Sequence, residues 1–302
     1  MRPSRPLVTS LQRDVRVADG RTLRVLEDGD PRGRPVFVLH GTPGSRLLYR
    51  KHVEDAARRG LRLIGYDRPG YGGSTAMRGR RVVDAAHDVR AIADVLGLNR
   101  FAVWGHSSGG HHALACAAAL PERVVAVATL AGDSPYTEVS AEGIDWFRGM
   151  SEWQSGFFRQ MIHDPATWET ELVVPVVDDS LTPEQIRTSM SALLSDVDRA
   201  AFTDELVDYF RSVERENQRA GTAGARDDSL AEVKPWGFEV SSIRVPVQLW
   251  HGKLDRFVPV SMGEWLATHI PRVDVHLEAD EGHVTLFEHR IPAVHEWLSS
   301  QF

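Results

Sequence analysis

Phe101 to Gly110, FAVWGHSSGG, is the stretch whose residue types could do chemistry. Phe101-Ala102-Val103-Trp104 is a short apolar, β-prone run. Gly105-His106-Ser107-Ser108-Gly109 follows as G-x-S-x-G, and His111 to Leu120 reads as helix, with alanine at half of its positions. Strand, sharp turn and helix form the context in which this motif presents a nucleophile. The turn would hold Ser107 in a strained backbone conformation and lift its hydroxyl above the sheet. Gly105 and Gly109 are expected there because a Cβ at either would strike a neighbouring strand or helix. The helix behind Ser107 would add a positive end and free N–H groups near the reacting centre. A serine hydroxyl is a weak nucleophile until a base takes its proton, and a neutral imidazole can do that near neutral pH.

The elements that must position these groups can be read around them. Val15–Val17 and Leu23–Val25 alternate around Asp19-Gly20 and predict a β-hairpin. Pro35–Leu39 is a continuous apolar run, as in a strand buried on both faces, and it leads into His40-Gly41-Thr42-Pro43-Gly44. A helical stretch carrying Leu47, Leu48 and Val53 follows. Leu61–Tyr66 is a further strand that ends in Asp67-Arg68-Pro69-Gly70-Tyr71-Gly72-Gly73-Ser74, dense in turn residues. Val82–Leu96 has helical apolar spacing, and Val124–Leu130 is a strand ending at Ala131-Gly132-Asp133. After a long intervening segment, Val245–Trp250 reads as a strand before His251-Gly252-Lys253-Leu254-Asp255. Met262–Ile270 is a helix and Val273–Leu277 a strand. Glu281-Gly282-His283 is a loop before the closing helical stretch within 284–298, where Pro292 marks a break or a helix start. This alternation implies a mainly parallel sheet covered on both faces, with ligands beyond the carboxyl ends of its strands. Ser107, Thr42, Asp255 and His283 all follow strands and would share that edge.

The segment from about 134 to 236 breaks the alternation. It carries a net charge of −11 against +4 for the remainder. Trp146, Met150, Trp153 and Phe157 make one helical stripe, 200–219 predicts another helix, and 221–228 a loop. The reading is a helical insert, residues 134–236, over a core made of 1–133 and 237–302. The aromatic stripe is expected to be cap core ahead of substrate wall, and the negative charge a solvated face that keeps the lid soluble.

Composition sets the outer limits. The 302 residues are 42% hydrophobic and 25% charged, as in an ordinary soluble globular protein. The net charge of −7 gives no reason to expect nucleic acid. The single cysteine, Cys116, excludes an internal disulfide and is expected as buried filler. The opening residues MRPSRPLVTSLQRD hold positive charge but no apolar core of a signal peptide. No run approaches the ~18 apolar residues of a membrane span. The expected location is the cytoplasm, with no membrane partner. The histidines form no recognisable metal set, and the glycines at 105–109 are wrongly spaced for a dinucleotide loop, so neither metal nor cofactor is implied.

These motifs, over roughly 12–133 and 237–300, resemble the α/β-hydrolase family. The insert lies where that family places its cap. By the resemblance, Ser107 in GHSSG matches the nucleophile, Asp255 in HGKLDRFVP the acid, and His283 in EGHVTLFE the base, in the family's chain order. HGTPG at 40–44 resembles the oxyanion loop and Asp67–Gly72 the D-x-x-G-x-G loop. The oxyanion donors are then the backbone N–H groups of Thr42 and Ser108, each such donor typically worth about 3 kcal/mol of barrier. Asp133 also follows a core strand and competes with Asp255 for the acid. His40 is expected to hold its loop, His106 to line the pocket or pack, His111 and His112 to be packed or solvated, and His251 to make a structural hydrogen bond.

The resemblance implies a doubly wound α/β-hydrolase fold and a serine hydrolase that cleaves a carboxylic ester or related acyl bond of a small molecule. Its activity should rise with an apparent pKa of about 6–7. A second reading is an aminopeptidase similar to proline iminopeptidases. Their HGGPG is HGTPG here, and Ser108 stands where their elbow usually carries Trp. A third is a non-catalytic ligand receptor on the same scaffold. Epoxide hydrolases and haloalkane dehalogenases of this fold use an aspartate where Ser107 stands.

Overall fold

The structure, a computed structural model, describes residues 10–172, 182–189 and 194–302. The first nine residues, on which the leader reading partly rests, lie outside the described residues, as do 173–181 and 190–193 of the insert.

Eight strands form one sheet: β1 (Leu11–Arg16), β2 (Thr22–Gly29), β3 (Arg34–Leu39), β4 (Leu61–Tyr66), β5 (Phe101–His106), β6 (Val124–Leu130), β7 (Val247–Gly252) and β8 (Val273–Glu278). Their order is β1-β2-β4-β3-β5-β6-β7-β8. β2 pairs antiparallel with β1 and β4, and the remaining pairs are parallel. β6 and β7 are buried along their whole length and β5 nearly so, as expected of central strands covered on both faces. β1 and β8 are the edges and keep exposed positions.

From β3 the chain passes to β4 on one side and later returns to β5 on the other. The carboxyl ends of β3 and β5 therefore flank the switch point, where a crevice opens in sheets of this kind. Leu39 stands in register with Gly105, so the loop starting at His40 and the turn at Ser107 leave the sheet side by side.

Helices α1 (Arg50–Arg58), α2 (Asp84–Val95) and α3 (Ser108–Ala119) belong to the first half, and α11 (Val260–His269), α12 (His283–His289) and α13 (Ile291–Ser299) to the second. α3 is buried over ten of its twelve residues. Its small side chains let it lie close to the sheet: a Cβ on Gly110 would come within 2.4 Å of Thr129 Oγ1. Cys116 is buried within it, and burial pushes its thiol pKa up, as a filler residue requires. Among the described residues no helix is long and apolar enough to cross a membrane.

Between β6 and β7 the described residues form α4 (Tyr136–Ala141), α5 (Glu152–His163), α6 (Pro165–Glu171), α7 (Pro183–Ser189), α8 (Asp196–Ala201), α9 (Asp204–Gln218) and α10 (Ala223–Glu232). Several local expectations need correction. Leu47 and Leu48 precede α1, which starts only at Arg50. The aromatic stripe is not one helix: Trp146 lies in a turn, Met150 just after it, and α5 begins at Glu152 after Ser151 caps it through Gln154 N–H. Trp153 stays 49% exposed and stacks on Phe157 at 5.6 Å. The helix expected at 200–219 is broken at Phe202-Thr203, where the Thr203 hydroxyl accepts from Leu206 N–H and opens a new helix.

The expected loop at 221–228 is the start of α10. Its glycines serve the turn before the helix and a close approach within it. Gly221, with φ +69°, turns the chain after α9. Gly224 sits within a helix that approaches another loop, and a Cβ there would meet the Tyr71 ring at 2.6 Å and Gly70 O at 2.8 Å.

Candidate active site

Ser107 has φ 57° and ψ −135°, a conformation that L-residues rarely adopt and that surrounding structure must impose. Two glycines make that possible. A Cβ on Gly105 would lie 2.0 Å from Gly109 O, and one on Gly109 would lie 2.0 Å from Leu39 O. The turn is anchored by Ser107 N–H to Leu130 O at 2.9 Å. Ser107 is thereby raised at the carboxyl end of β5, directly ahead of α3.

Asp255 follows β7 and is clamped by its own loop. Its Oδ1 accepts from the N–H groups of Phe257 and Val258, both at 2.8 Å. The other oxygen, Oδ2, lies 2.8 Å from Nδ1 of His283. A carboxylate can only accept, so Nδ1 carries the proton and Nε2 is left as the basic nitrogen. Asp133, the competing acid, is turned elsewhere. It lies 3.3 Å from His111 Nδ1 and hydrogen-bonds the Glu232 carboxyl. Geometry therefore sets Asp255, not Asp133, behind the imidazole.

Burial acts to lower the His283 pKa, but the Asp255 carboxylate outweighs it and holds the imidazole above its ordinary value. Asp198 and Asp133 add to the same direction. Below this raised pKa the ring is an imidazolium and cannot take a proton. With His283 as the base, the acid limb of kcat/KM should have its midpoint above pH 6.5. A pH–rate profile on a neutral substrate checks this; a midpoint at or below 6.5 contradicts it.

The loop after β3 packs against Ser107. A Cβ on Gly41 would meet Ser107 Cβ at 3.2 Å, and one on Gly44 would meet His40 Nδ1 at 2.3 Å. His40 Nε2 accepts from Arg68 N–H at 3.2 Å while Nδ1 lies 2.8 Å from Gly41 O. Burial and the nearby Arg68 keep this ring neutral, and its hydrogen bonds hold the loop. The Thr42 hydroxyl bonds the Ser108 hydroxyl at 2.7 Å and donates to Asp228 Oδ2 at 3.1 Å. The two residues whose N–H groups were assigned to an oxyanion are thus tied to each other.

Behind that loop lies a charged network that sequence reasoning missed. Asp228, from α10, is buried between Arg68 and Arg80, each at 2.6 Å, and accepts from Tyr71 OH at 2.8 Å. Burial opposes its charge, but the two guanidinium groups hold its pKa far below the usual carboxylate range. Arg68 also donates to the carbonyls of His40 and Gly41. Removing one member of a buried set like this typically costs about 3–5 kcal/mol, because the others stay charged and unpaired. Asp67 serves a similar end one residue earlier, accepting from Arg46 N–H at 2.7 Å and Gly73 N–H at 3.0 Å.

The other histidines also have assigned surroundings. His106 lines the cavity and its Nε2 donates to His283 O at 2.8 Å. Burial and the nearby His283 bring its pKa down to about 3. His111 and His112 are both buried, and His251 Nε2 bonds Val258 O at 2.8 Å.

Ser107 and His283 open into one cavity of about 310 Å³. Its lining is largely apolar and aromatic, including Tyr49, Trp104, Phe157, Tyr209, Phe257 and Phe287. The aromatic stripe of the insert is divided between roles: Trp153 and Phe157 line the cavity, whereas Trp146 is buried away from it. Asp133, Glu214 and Glu232 also line it. Burial and the adjacent Asp133 push the Glu232 pKa well above the usual carboxylic-acid range.

Comparison with known proteins agrees with this architecture. A family model described as alpha/beta hydrolase fold matches residues 34–290. Among curated proteins, the 2-hydroxy-6-oxononadienedioate/2-hydroxy-6-oxononatrienedioate hydrolase of Burkholderia vietnamiensis is 29% identical over 90% of this chain and 89% of its own length. The enzyme of that name from Escherichia coli K12 is 27% identical over 89% and 88%. Among solved structures, a thermophilic esterase from Thermogutta terrifontis superposes with a TM-score of 0.66 at 19% identity, covering 96% of this chain and 99% of its own. An enol-lactonase from Burkholderia xenovorans gives 0.63 at 19% identity, with 96% and 99% coverage. With the family's pattern running through most of its length, the chain belongs to the α/β-hydrolase family and is a hydrolase of that fold.

Proposed function

We propose that the chain is a serine hydrolase that cleaves a carboxylic ester or related acyl bond of a small, uncharged, largely apolar molecule. The observation that carries this reading is the Asp255–His283 pair, 2.8 Å apart, opening into the same cavity as a strained Ser107. In the proposed reaction His283 Nε2 takes the hydroxyl proton as Ser107 Oγ attacks the acyl carbon. The backbone N–H groups of Thr42 and Ser108 receive the developing oxyanion. His283 returns the proton to the leaving alcohol, an acyl-enzyme remains, and water resolves it by the same steps in reverse. Helices α4–α10 act as the cap over the cavity.

The curated relatives' names specify dicarboxylic substrates. A dicarboxylate in this cavity would face the carboxyl groups of Asp133, Glu214 and Glu232. Arg46 is the only Arg or Lys among the described lining residues, and it is tied to Asp67 at 2.9 Å and Glu216 at 2.7 Å. That favours a neutral substrate over a doubly charged one. The aminoacyl reading has one observation in its favour: the cavity does hold acidic groups, and a carboxylate there would attract an ammonium group. The raised pKa of Glu232 weakens that attraction.

The experiment is a comparison of neutral esters, aminoacyl amides and dicarboxylates of similar size, at low and high salt. Neutral esters should give the highest kcat/KM, almost independent of ionic strength. A prolyl or other aminoacyl amide turned over faster than every simple ester, with a preference that salt weakens, would overturn the ester assignment.

A further inference from the structure

Three contacts fix His283, and one of them comes from a part of the chain with no recognisable motif. Asp255 holds the imidazole and His106 holds the carbonyl oxygen. The main-chain N–H is held by Asp198 of α8, whose Oδ2 accepts it at 3.1 Å. Asp198 Oδ1 accepts from the next two N–H groups of α12, Val284 at 2.8 Å and Thr285 at 3.0 Å. The Ser195 hydroxyl donates to Oδ2 at 2.7 Å and so orients the carboxylate. Asp198 is completely buried. The fit depends on Gly282, because a Cβ there would lie 2.2 Å from Asp198 Oδ2.

We propose that Asp198 is a positioning residue for the reaction: through it, the insert sets the place of His283, so that the base is aligned only while α8 is seated on α12. The inference rests on the reading of Ser107, Asp255 and His283 as a triad. Its physical basis is the order of the chain. α12 begins at His283, so a carboxylate that gathers the first N–H groups of α12 fixes the backbone from which the imidazole projects. A carboxylate at a helix start also favours the helix electrostatically. Displacement of α8 would leave those N–H groups without the acceptor they have and release the His283 backbone, while Asp255 and Ser107 stayed in the sheet-edge loops. The insert would then do more than cover the cavity.

A merely structural cap and a positioning residue differ in what they move. The charged and titratable groups that act on the His283 ring are Asp255, Asp198 and Asp133 on one side and the imidazoles of His106 and His251 on the other. Asp198→Asn keeps size and one acceptor oxygen but removes one of the three anions. Two effects are expected together. kcat falls roughly 10- to 100-fold with KM changed less than about twofold, as for a slightly misplaced catalytic group. The midpoint of the kcat/KM acid limb moves to lower pH, because the imidazolium has lost a stabilising charge. A kcat within twofold of the parent overturns the proposal, whatever the pH profile. So does a reduced kcat with an unmoved acid limb, which would mark Asp198 as a helix cap alone. Should Asp198→Asn not fold, Ser195→Ala keeps the charge and removes the hydroxyl that orients it; a several-fold loss in kcat at unchanged KM supports the proposal and a parental kcat overturns it. Ser107→Ala is assayed in parallel. If it retains parental activity, the triad reading fails; if it is inert while Asp198→Asn behaves as the parent, only the role of Asp198 fails.

Discussion

Ser107→Ala is expected to lower turnover on the order of 10⁶-fold, the scale of serine removal from a triad acting as a unit. The fold should survive. Ser107 does not fill a core position, and its backbone strain is imposed by the packing of Gly105 and Gly109 against neighbouring main chain. The hydroxyl has no substitute nearby, because Ser108 already bonds Thr42 at 2.7 Å. Steady-state rates on the best ester, with circular dichroism as a check on folding, decide it. Alanine has a larger penalty than glycine at φ 57°, but serine pays the same one, so the substitution adds no new strain. A variant within tenfold of the parent would remove the acyl-enzyme from the account.

Asp255→Asn is expected to reduce kcat by about 10⁴, because an amide beside Nδ1 stabilises the wrong imidazole tautomer. The clamp on Oδ1 from Phe257 and Val258 N–H makes this sharper. Those donors keep the amide oxygen on their side, which turns the NH2 toward His283. Asp133→Asn should be mild by comparison, since Asp133 faces Glu232 and His111. Parallel kcat measurements on the two variants settle the assignment. The reverse ordering would move the acid to the end of β6.

The legible part of the molecule was the part built from local rules. Strands buried on both faces announced themselves as apolar runs, and Val124–Leu130 was read to the residue. The elbow was legible because its glycines answer a steric demand that any residue with a Cβ would fail. Ser107, Asp255 and His283 each sit just beyond a strand, so the parallel alternation alone brought them to one edge. The insert was less legible because tertiary contacts override its local signals. α10 looked like a loop from its glycines, yet Gly224 is there to let Tyr71 approach. The stripe from Trp146 to Phe157 had helical spacing but spans a turn and a helix.

The acidity of the insert shows the same limit. A segment of net −11 suggested a solvated face. Many of its acids are exposed, but Asp198, Asp227, Asp228, Glu214 and Glu232 are buried. Asp228 braces the loop after β3 through Arg68, and Asp198 gathers the start of α12. Neither residue had a motif, because each acts across more than 80 residues of sequence on groups that are common everywhere: a guanidinium and three main-chain N–H groups. Only the surplus of carboxylates over local partners hinted that some were used elsewhere.

In the proposed reaction Ser107 is the nucleophile, activated by His283. Reaction of the whole chain with a fluorophosphonate probe, followed by intact-mass and peptide mass spectrometry, decides whether Ser107 holds that role. One adduct per chain is expected, on Ser107, forming faster as pH rises through the His283 titration and absent in Ser107→Ala. An adduct on any other serine, with Ser107 unmodified, would contradict it.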